Sequence, residues 1–326
     1  MRAIVVTAPG GPEVLRATDV PEPVPGPGEA LVRIHRAGVN FIDTYYRSGA
    51  YPAALPLVPG QEAVGVVERL GDGTGPGQDL AVGDRVAWAT RPGTYAEYAA
   101  VPLGALVPVP DKVTDEQAAA GLMQGLAAHY LVHDTHPVGA GDTVVVHAAA
   151  GGLGRLAVQF AASRGATVIA TVSVPEKAEA ALSAGARHVV VRRQQEPSAA
   201  VRELTGGRGA DVVYDSIGAP TFEDSLSCLR PRGLLVLCGA SGGQVAPFAL
   251  ERLRAGSLFV TRPSLADHVR GTGALRARAA EVFAAVASGV LELLVSESLP
   301  LERAREAHTA LESGTTTGKL LLHLDG

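Results

Sequence analysis

The stretch from Thr143 to Gly154, Thr-Val-Val-Val-His-Ala-Ala-Ala-Gly-Gly-Leu-Gly, is where residue types and spacing point most directly to chemistry. A β-branched run stops at a turn of small residues, after which Leu156, Ala157, Phe160 and Ala161 recur at helical spacing, so the pattern predicts strand, tight loop and helix. Such a loop lets backbone amides approach a pyrophosphate at the positive end of the helix. The G-x-G-x-x-G pattern is relaxed, because Ala149 takes the place of the first glycine while Gly151 and Gly154 hold the other two. A plain structural turn has the same composition, so the flanking residues must decide.

An NAD site usually carries Asp or Glu about 20 residues beyond the glycines, where it accepts from the ribose 2′-hydroxyl. Here the next strand ends Thr171-Val172-Ser173, with no carboxylate. A carboxylate would repel a 2′-phosphate, whereas Ser173, Lys177 and Arg192 or Arg193 could donate to one, which favours NADPH over NADH. Ser173 has a competing reading as a helix N-cap with Glu176 three residues on, and Lys177 would then be an exposed helix residue.

The elements that must position these groups fall into two textures. Up to about Lys112 the chain has short β-like runs, Ala3 to Thr7, Ala30 to His35, Ala63 to Leu70 and Asp84 to Ala89, separated by Gly- and Pro-rich loops at Pro21 to Gly28 and Gly71 to Gly83. This predicts a compact antiparallel, barrel-like domain. Thr114 and Gln117 have the spacing of a capping box, and a long helix is expected over Ala118 to Val132. Six candidate strands follow, Val144 to His147, Thr167 to Val172, His188 to Val191, Asp211 to Asp215, Leu234 to Cys238 and Leu258 to Thr261, alternating with helical text. That alternation predicts an α/β fold with a doubly wound, six-stranded parallel sheet over residues 120–262. A tail with helices near Leu275 to Ser288 and Leu301 to Glu312 and a strand from Lys319 to Leu324 is too short to stand alone, and is expected to complete the β-rich domain of residues 1–119 as 263–326.

Composition narrows the function classes. A chain of 326 residues with 47% hydrophobic and 19% charged residues reads as a globular protein with sizeable cores. The formal net charge of -5 makes nucleic acid or an anionic membrane an unlikely main partner. Cys228 and Cys238 are too few for a disulfide framework or a cysteine-based metal site. The N-terminal apolar run is broken too early by Pro and Gly for a signal peptide, and no run approaches the ~18 apolar residues of a membrane span, so a cytoplasmic location is expected.

Several segments in order resemble the NADPH:quinone oxidoreductases, the ζ-crystallin-like, zinc-independent group of the medium-chain dehydrogenases/reductases: Gly10-Gly11-Pro12-Glu13-Val14-Leu15, Asn40-Phe41-Ile42-Asp43-Thr44-Tyr45, His147-Ala148-Ala149-Ala150-Gly151-Gly152, Tyr214-Asp215-Ser216-Ile217-Gly218 and Val260-Thr261-Arg262-Pro263-Ser264-Leu265. The resemblance implies a GroES-like catalytic domain, a Rossmann domain, NADPH held in a cleft, and a homodimer. It implies that Asn40, Phe41, Ile42, Tyr45 and Tyr130 approach the nicotinamide, Gly151, Gly152 and Leu153 the pyrophosphate, Ser173 and Lys177 the 2′-phosphate, and Ile217, Gly239, Ser241, Arg262 and Pro263 the rest. Zinc-containing relatives have Cys near position 40 and Gly-His-Glu near 61. Asn40 and Gly60-Gln61-Glu62 stand there instead, which argues against catalytic zinc. Two departures stand out: Arg192 replaces a tyrosine, and Gly314 replaces an arginine whose contact Lys319 would have to supply.

A quinone is a good hydride acceptor, so its reductase has mainly to orient the ring and stabilise a developing oxyanion. Asn40 and Tyr45, with Gln61 behind them, are the expected polar groups there, with the proton coming from water. Two other readings use the same coenzyme: reduction of α,β-unsaturated carbonyls by an alkenal or enoyl reductase, and an NADPH-binding structural or RNA-binding protein.

Overall fold

The computed structural model describes residues 1–72 and 79–324, so residues 73–78 of the expected Gly71 to Gly83 loop lie outside the described residues. The chain divides into two compact units: Met1–Met123 with Val269–Ser288 and Leu293–Gly326, and Gln124–His268 with Gly289–Glu292. The sequence alone puts these changeovers at 119/120 and 262/263.

In the first unit, β1 (Arg2–Val5) pairs with β2 (Arg16–Asp19), and β3 (Glu29–Val39), β4 (Glu62–Leu70), β5 (Arg85–Ala89), β6 (Tyr98–Pro102) and β7 (Val107–Pro108) join through antiparallel ladders. Their apolar residues close over a core that includes Ile4, Ile34, Trp88, Tyr95 and Leu106. Between β3 and β4 lies α1 (Phe41–Ser48), a helix the apolar periodicity does not announce, since its buried positions are Asp43, Thr44 and Arg47. Gly49 ends it at φ 80°, the left-handed conformation that glycine adopts without steric cost. The expected capping box is present: the Thr114 amide donates to Gln117 Oε1 at 3.0 Å and the Gln117 amide to Thr114 Oγ1 at 3.1 Å. It opens α2 (Asp115–Tyr130), which runs into a π-helical turn over Leu131–Thr135.

The second unit alternates as the sequence predicts: β8 (Thr143–Val146), α3 (Gly152–Ser163), β9 (Thr167–Val172), α4 (Ala178–Ser183), β10 (His188–Val191), α5 (Pro197–Leu204), β11 (Ala210–Asp215), α6 (Phe222–Cys228), β12 (Leu229–Leu237), β13 (Phe259–Thr261) and α7 (Leu265–His268). All six strands run parallel in the order β10-β9-β8-β11-β12-β13. β12 starts earlier than expected, because an irregularity opposite Ala210/Val212, with Arg232 at φ 62°, lets Leu229 pair as well as Leu234. The order reverses between β8 and β11, the point outside whose carboxyl ends open α/β sheets take ligands.

The tail then adds α8 (Thr272–Ala287), β14 (Val295–Pro300), α9 (Ala304–Ser313) and β15 (Lys319–His323). β15 lies antiparallel to β3, with Leu321 opposite Gly38, so the end of the chain builds the first unit's sheet. The strands up to Pro108 pair antiparallel as expected, and in the tail β14 and β15 pair parallel because α9 is the crossover between them.

Local packing in the glycine loop gives a direct check. A Cβ on Gly154 would lie 2.4 Å from the Ala148 carbonyl oxygen and 2.9 Å from its carbon, backbone atoms that cannot swing aside, whereas a Cβ on Gly139 meets nothing within 4 Å. Thermal denaturation of Gly154→Ala should show a loss of about 2 kcal/mol, with Gly139→Ala within about 0.5 kcal/mol of the parent.

Candidate active site

At the carboxyl ends of β8 and β11 the second unit builds a buried polar lattice. Asp215 accepts from the amides of Ile217 at 2.8 Å and Gly218 at 3.0 Å, from Thr221 Oγ1 at 2.7 Å and from Ser225 Oγ at 2.8 Å. Ser225 Oγ also meets His147 Nε2 at 3.0 Å, and His147 Nδ1 meets Thr171 Oγ1 at 2.8 Å. Burial lowers the His147 pKa, so the ring is neutral and bridges hydroxyls rather than forming an ion pair. This lattice fixes three strand ends beneath the glycine turn. Ala148 is left-handed at φ 50°, the Gly151 amide returns to the Ala148 carbonyl at 2.9 Å, and Gly151 is the N-cap of α3, so Gly152 and Leu153 form its first turn.

The residues expected to face the coenzyme occupy neighbouring strand ends. Ser173 follows β9 and Arg192 follows β10, the Arg192 amide donating to the Val172 carbonyl at 2.9 Å. Val174, not Ser173, holds the N-cap position of the short turn Pro175–Lys177, and no side chain caps it. The capping explanation of Ser173 therefore fails, because Ser173 sits one residue too early. Burial lowers the pKa of both Lys177 and Arg192, and the buried Arg192 Nε has no hydrogen-bond partner. Arg192 follows β10, with Asp215 and Asp224 acting on it, and Lys177 closes the turn after β9, where the strand itself ends without a carboxylate. Further along, Ser241 donates through its amide and its Oγ to the Ser216 carbonyl, both at 3.1 Å, and a Cβ on Gly239 would lie 2.7 Å from that same oxygen. Ile217 is buried in this turn, and Arg262 is exposed, with Nη1 donating to Gln244 Oε1 at 2.8 Å. Tyr130 is buried and stacks on His268 with ring centroids 4.1 Å apart, while Pro263 and His268 line a cavity of about 540 Å³.

The first unit gathers a second polar centre around Asn40, the N-cap of α1. Lys319 Nζ donates to Asn40 Oδ1 at 2.7 Å and to Glu62 Oε1, and Asn40 Nδ2 donates to the same Glu62 oxygen at 2.8 Å. Glu62 Oε2 accepts from the Met123 amide at 2.9 Å. The Asn40 amide donates to Asp43 Oδ2 at 2.8 Å, which also accepts from Tyr95 Oη at 3.2 Å. Tyr95 Oη meets His308 Nε2 at 3.1 Å, and Arg47 Nη1 donates to His308 Nδ1 at 3.2 Å while its guanidinium grips Glu312 at 2.7 and 2.9 Å. Arginine can only donate, so His308 accepts at Nδ1 and carries its proton at Nε2. Phe41, Ile42 and Tyr45 are half-buried, with the Tyr45 ring 5.2 Å from that of Tyr51, and Gln61 is buried with its carbonyl accepting from the Arg91 amide at 3.3 Å. Gly314 is the left-handed C-cap of α9, a position that favours glycine over arginine.

Asn40 and Lys319, separated by most of the chain, are thus brought together. Glu62, Asp43, Tyr95 and His308 join the same network without having been singled out. Glu62 and Asp43 lie inside quoted motifs, whereas nothing around Tyr95 or His308 in the sequence marks them as buried polar groups.

A doubly wound parallel sheet with a cation-lined strand end in one unit, and a GroES-like β domain in the other, define a two-domain nucleotide-dependent oxidoreductase. Residues 26–111 match the alcohol dehydrogenase GroES-like domain family, and residues 152–288 match the zinc-binding dehydrogenase family. A quinone oxidoreductase of Pseudomonas aeruginosa is 43% identical over 98% of this chain and 99% of its own length, and a 2-haloacrylate reductase of a Burkholderia species is 42% identical over 98% of each. A mycobacterial protein solved in complex with NADPH superposes with a TM-score of 0.96 at 46% identity, covering 99% of this chain and 100% of that one. The chain belongs to the quinone oxidoreductase family of the medium-chain dehydrogenases/reductases.

Burial pushes the Asp43 carboxyl up to about 7 against the pull of the Asn40 amide and Lys319, while burial and Arg47 hold the His308 imidazole down at about 3. Folded Asp43 keeps a proton that the unfolded chain releases near 3.8, so its contribution to stability falls as pH rises from about 4 to 7. His308 acts oppositely: its contribution is complete above 6.5 and is lost as pH falls toward 3. Asp43→Asn removes only the first effect. Its Tm relative to the parent should therefore rise by about 3 °C or more between pH 4.5 and 8.5 in parallel thermal melts.

Proposed function

We propose that this protein reduces quinones with NADPH, without zinc. When bound, NADPH supplies the hydride, and a proton from water completes the conversion of quinone to hydroquinone. The observation that carries the choice of coenzyme is the end of β9, Thr171-Val172-Ser173, which offers no carboxylate to a ribose 2′-hydroxyl and is followed by Lys177, with Arg192, whose Nε is buried without a hydrogen-bond partner, after the neighbouring strand. Gly154 and Gly239 lie where a Cβ would strike the backbone of Ala148 and Ser216, the close packing of turn against strand that a dinucleotide-binding fold uses, and the mycobacterial neighbour is itself an NADPH complex.

In this reading, Gly151, Gly152 and Leu153 would hold the pyrophosphate, Ser173, Lys177 and Arg192 the 2′-phosphate, and Ile217, Gly239, Ser241, Arg262 and Pro263 the remaining dinucleotide. Tyr130, Phe41 and Ile42 would wall the nicotinamide. Asn40 and Tyr45, backed by Gln61, would orient the quinone and meet the oxygen on which charge develops. A second reading, reduction of an activated carbon–carbon double bond, is favoured by the 2-haloacrylate reductase relative; it demands a proton delivered to carbon.

We further infer a homodimer. Among the described residues β13 is an edge strand, its Phe259 57% exposed, and an exposed strand edge of this kind favours pairing with another copy. A cytoplasmic setting suits an NADPH-dependent enzyme whose two cysteines are both unpaired.

Following NADPH oxidation with 1,4-benzoquinone, 9,10-phenanthrenequinone and 2-alkenals separates the two reactions, with faster turnover of the quinones expected. Lys177→Met should raise KM for NADPH about tenfold and leave that for NADH nearly unchanged. Asn40→Ala and Tyr45→Phe should each lower kcat/KM for quinones; if neither does, the assignment of the oxyanion site is wrong. Light scattering should give twice the chain mass for the parent and the single chain mass for Phe259→Glu.

A further inference from the structure

Asn40 is the only asparagine in the chain, and Lys319 is one of three lysines against 25 arginines. The two meet in a closed ring with Glu62, in which Lys319 is 2%, Glu62 1% and Asn40 6% exposed. An ammonium can only donate and a carboxylate can only accept, whereas a carboxamide has one end of each kind. Only one of the two amide orientations therefore satisfies the ring: Oδ1 toward Lys319 and Nδ2 toward Glu62. Flipped, the amide would set its NH2 against the ammonium and its oxygen against the carboxylate.

Glu62 is itself held in place. Its second oxygen accepts from the Met123 amide, and Gly38 leaves the space it fills, since a Cβ there would lie 2.1 Å from Glu62 Oε1. Such a buried pair adds little net stability compared with apolar residues of the same volume, so its worth lies in geometry. The backbone of Asn40 is fixed separately, by the bond from its amide to Asp43.

We propose that Lys319 is a positioning residue that locks the Asn40 carboxamide in a single orientation through the Lys319–Glu62–Asn40 ring, and does not itself grip the coenzyme in place of the arginine that Gly314 replaces. The inference rests on the reading that Asn40 meets the quinone oxygen. The ammonium orients and polarises the amide, and it is the amide that touches substrate. Arginine at 319 would bring a broad planar fork where the ring accommodates a compact ammonium.

The test uses the whole protein labelled with side-chain [15N]asparagine, which reports one amide and needs no coenzyme. In the parent that amide should exchange with solvent at least about tenfold more slowly than free asparagine; exchange at the free rate overturns the lock. Lys319→Met alone strands the Glu62 charge, so the decisive variant is Lys319→Met with Glu62→Gln, which keeps the site neutral. It should melt within a few degrees of the parent, exchange its Asn40 amide about tenfold faster, and lose about tenfold or more in kcat with 1,4-benzoquinone while KM for NADPH changes less than threefold. A folded double variant with parental amide exchange, or with fast exchange and parental kcat, overturns the proposal. Should Asn40→Ala keep parental kcat, the reading of Asn40 fails on its own, and amide exchange still decides whether Lys319 sets the orientation.

Discussion

A buried charge pair, Lys319 with Glu62, obliges distant stretches of the first unit to meet. Lys319 begins β15 and Glu62 begins β4, and their shared oxygen also takes the side chain of Asn40 at the start of α1. The other Glu62 oxygen reaches the Met123 amide in α2. Either charge left alone in that interior would cost several kcal/mol, so the strand registers that bring them together are strongly preferred over slipped ones. The sheet agrees: β3 pairs with both β4 and β15, and Gly38 stands opposite Glu62 and Leu321 at the spot where a side chain would collide with the carboxylate.

The second unit solves a related problem with neutral donors in direct contact, the Arg192 guanidinium acting on the carboxylate only from a distance. Asp215 is fully buried and is satisfied by two backbone amides and two hydroxyls, with neutral His147 bridging onward to Thr171. Those bonds shape the turn after β11 and tie it to the ends of β8 and β9, where the sheet changes direction. Charge at the rim is the reverse, with Lys177 and Arg192 at the outer strand ends.

The zinc-binding dehydrogenase match covers residues 152–288 and so contains neither Asn40 nor Gln61. At the polar centre of the first unit, oxygens of Asn40 and Glu62 already serve a cation belonging to the chain, the Lys319 ammonium. Quinone reduction suits that arrangement, because the acceptor needs orientation and a donor for its oxygen more than it needs a Lewis acid.

The six strands of the nucleotide-binding half were legible from period and punctuation: β9 and β10 have the expected bounds, β12 begins earlier than its apolar run, and the Thr114–Gln117 cap forms as its spacing predicts. Local rules suffice there, since an apolar run buried on both faces and a glycine turn specify their conformation within a dozen residues. The same holds for the missing carboxylate after β9, which is a matter of composition. The first unit resisted such reading. α1 buries Asp43, Thr44 and Arg47 and so lacks an apolar stripe, and β14 pairs parallel with β15 only through a helical crossover. Tyr95 and His308 acquire their roles from partners more than 200 positions apart, and whether Lys319 serves a coenzyme or a carboxylate depends on which strand β15 joins. Sequence by itself settled the period, the punctuation and the charge at each strand end, because these act between near neighbours. Only the tertiary structure decided which buried charges share a site, because that depends on pairings between segments that no local spacing encodes.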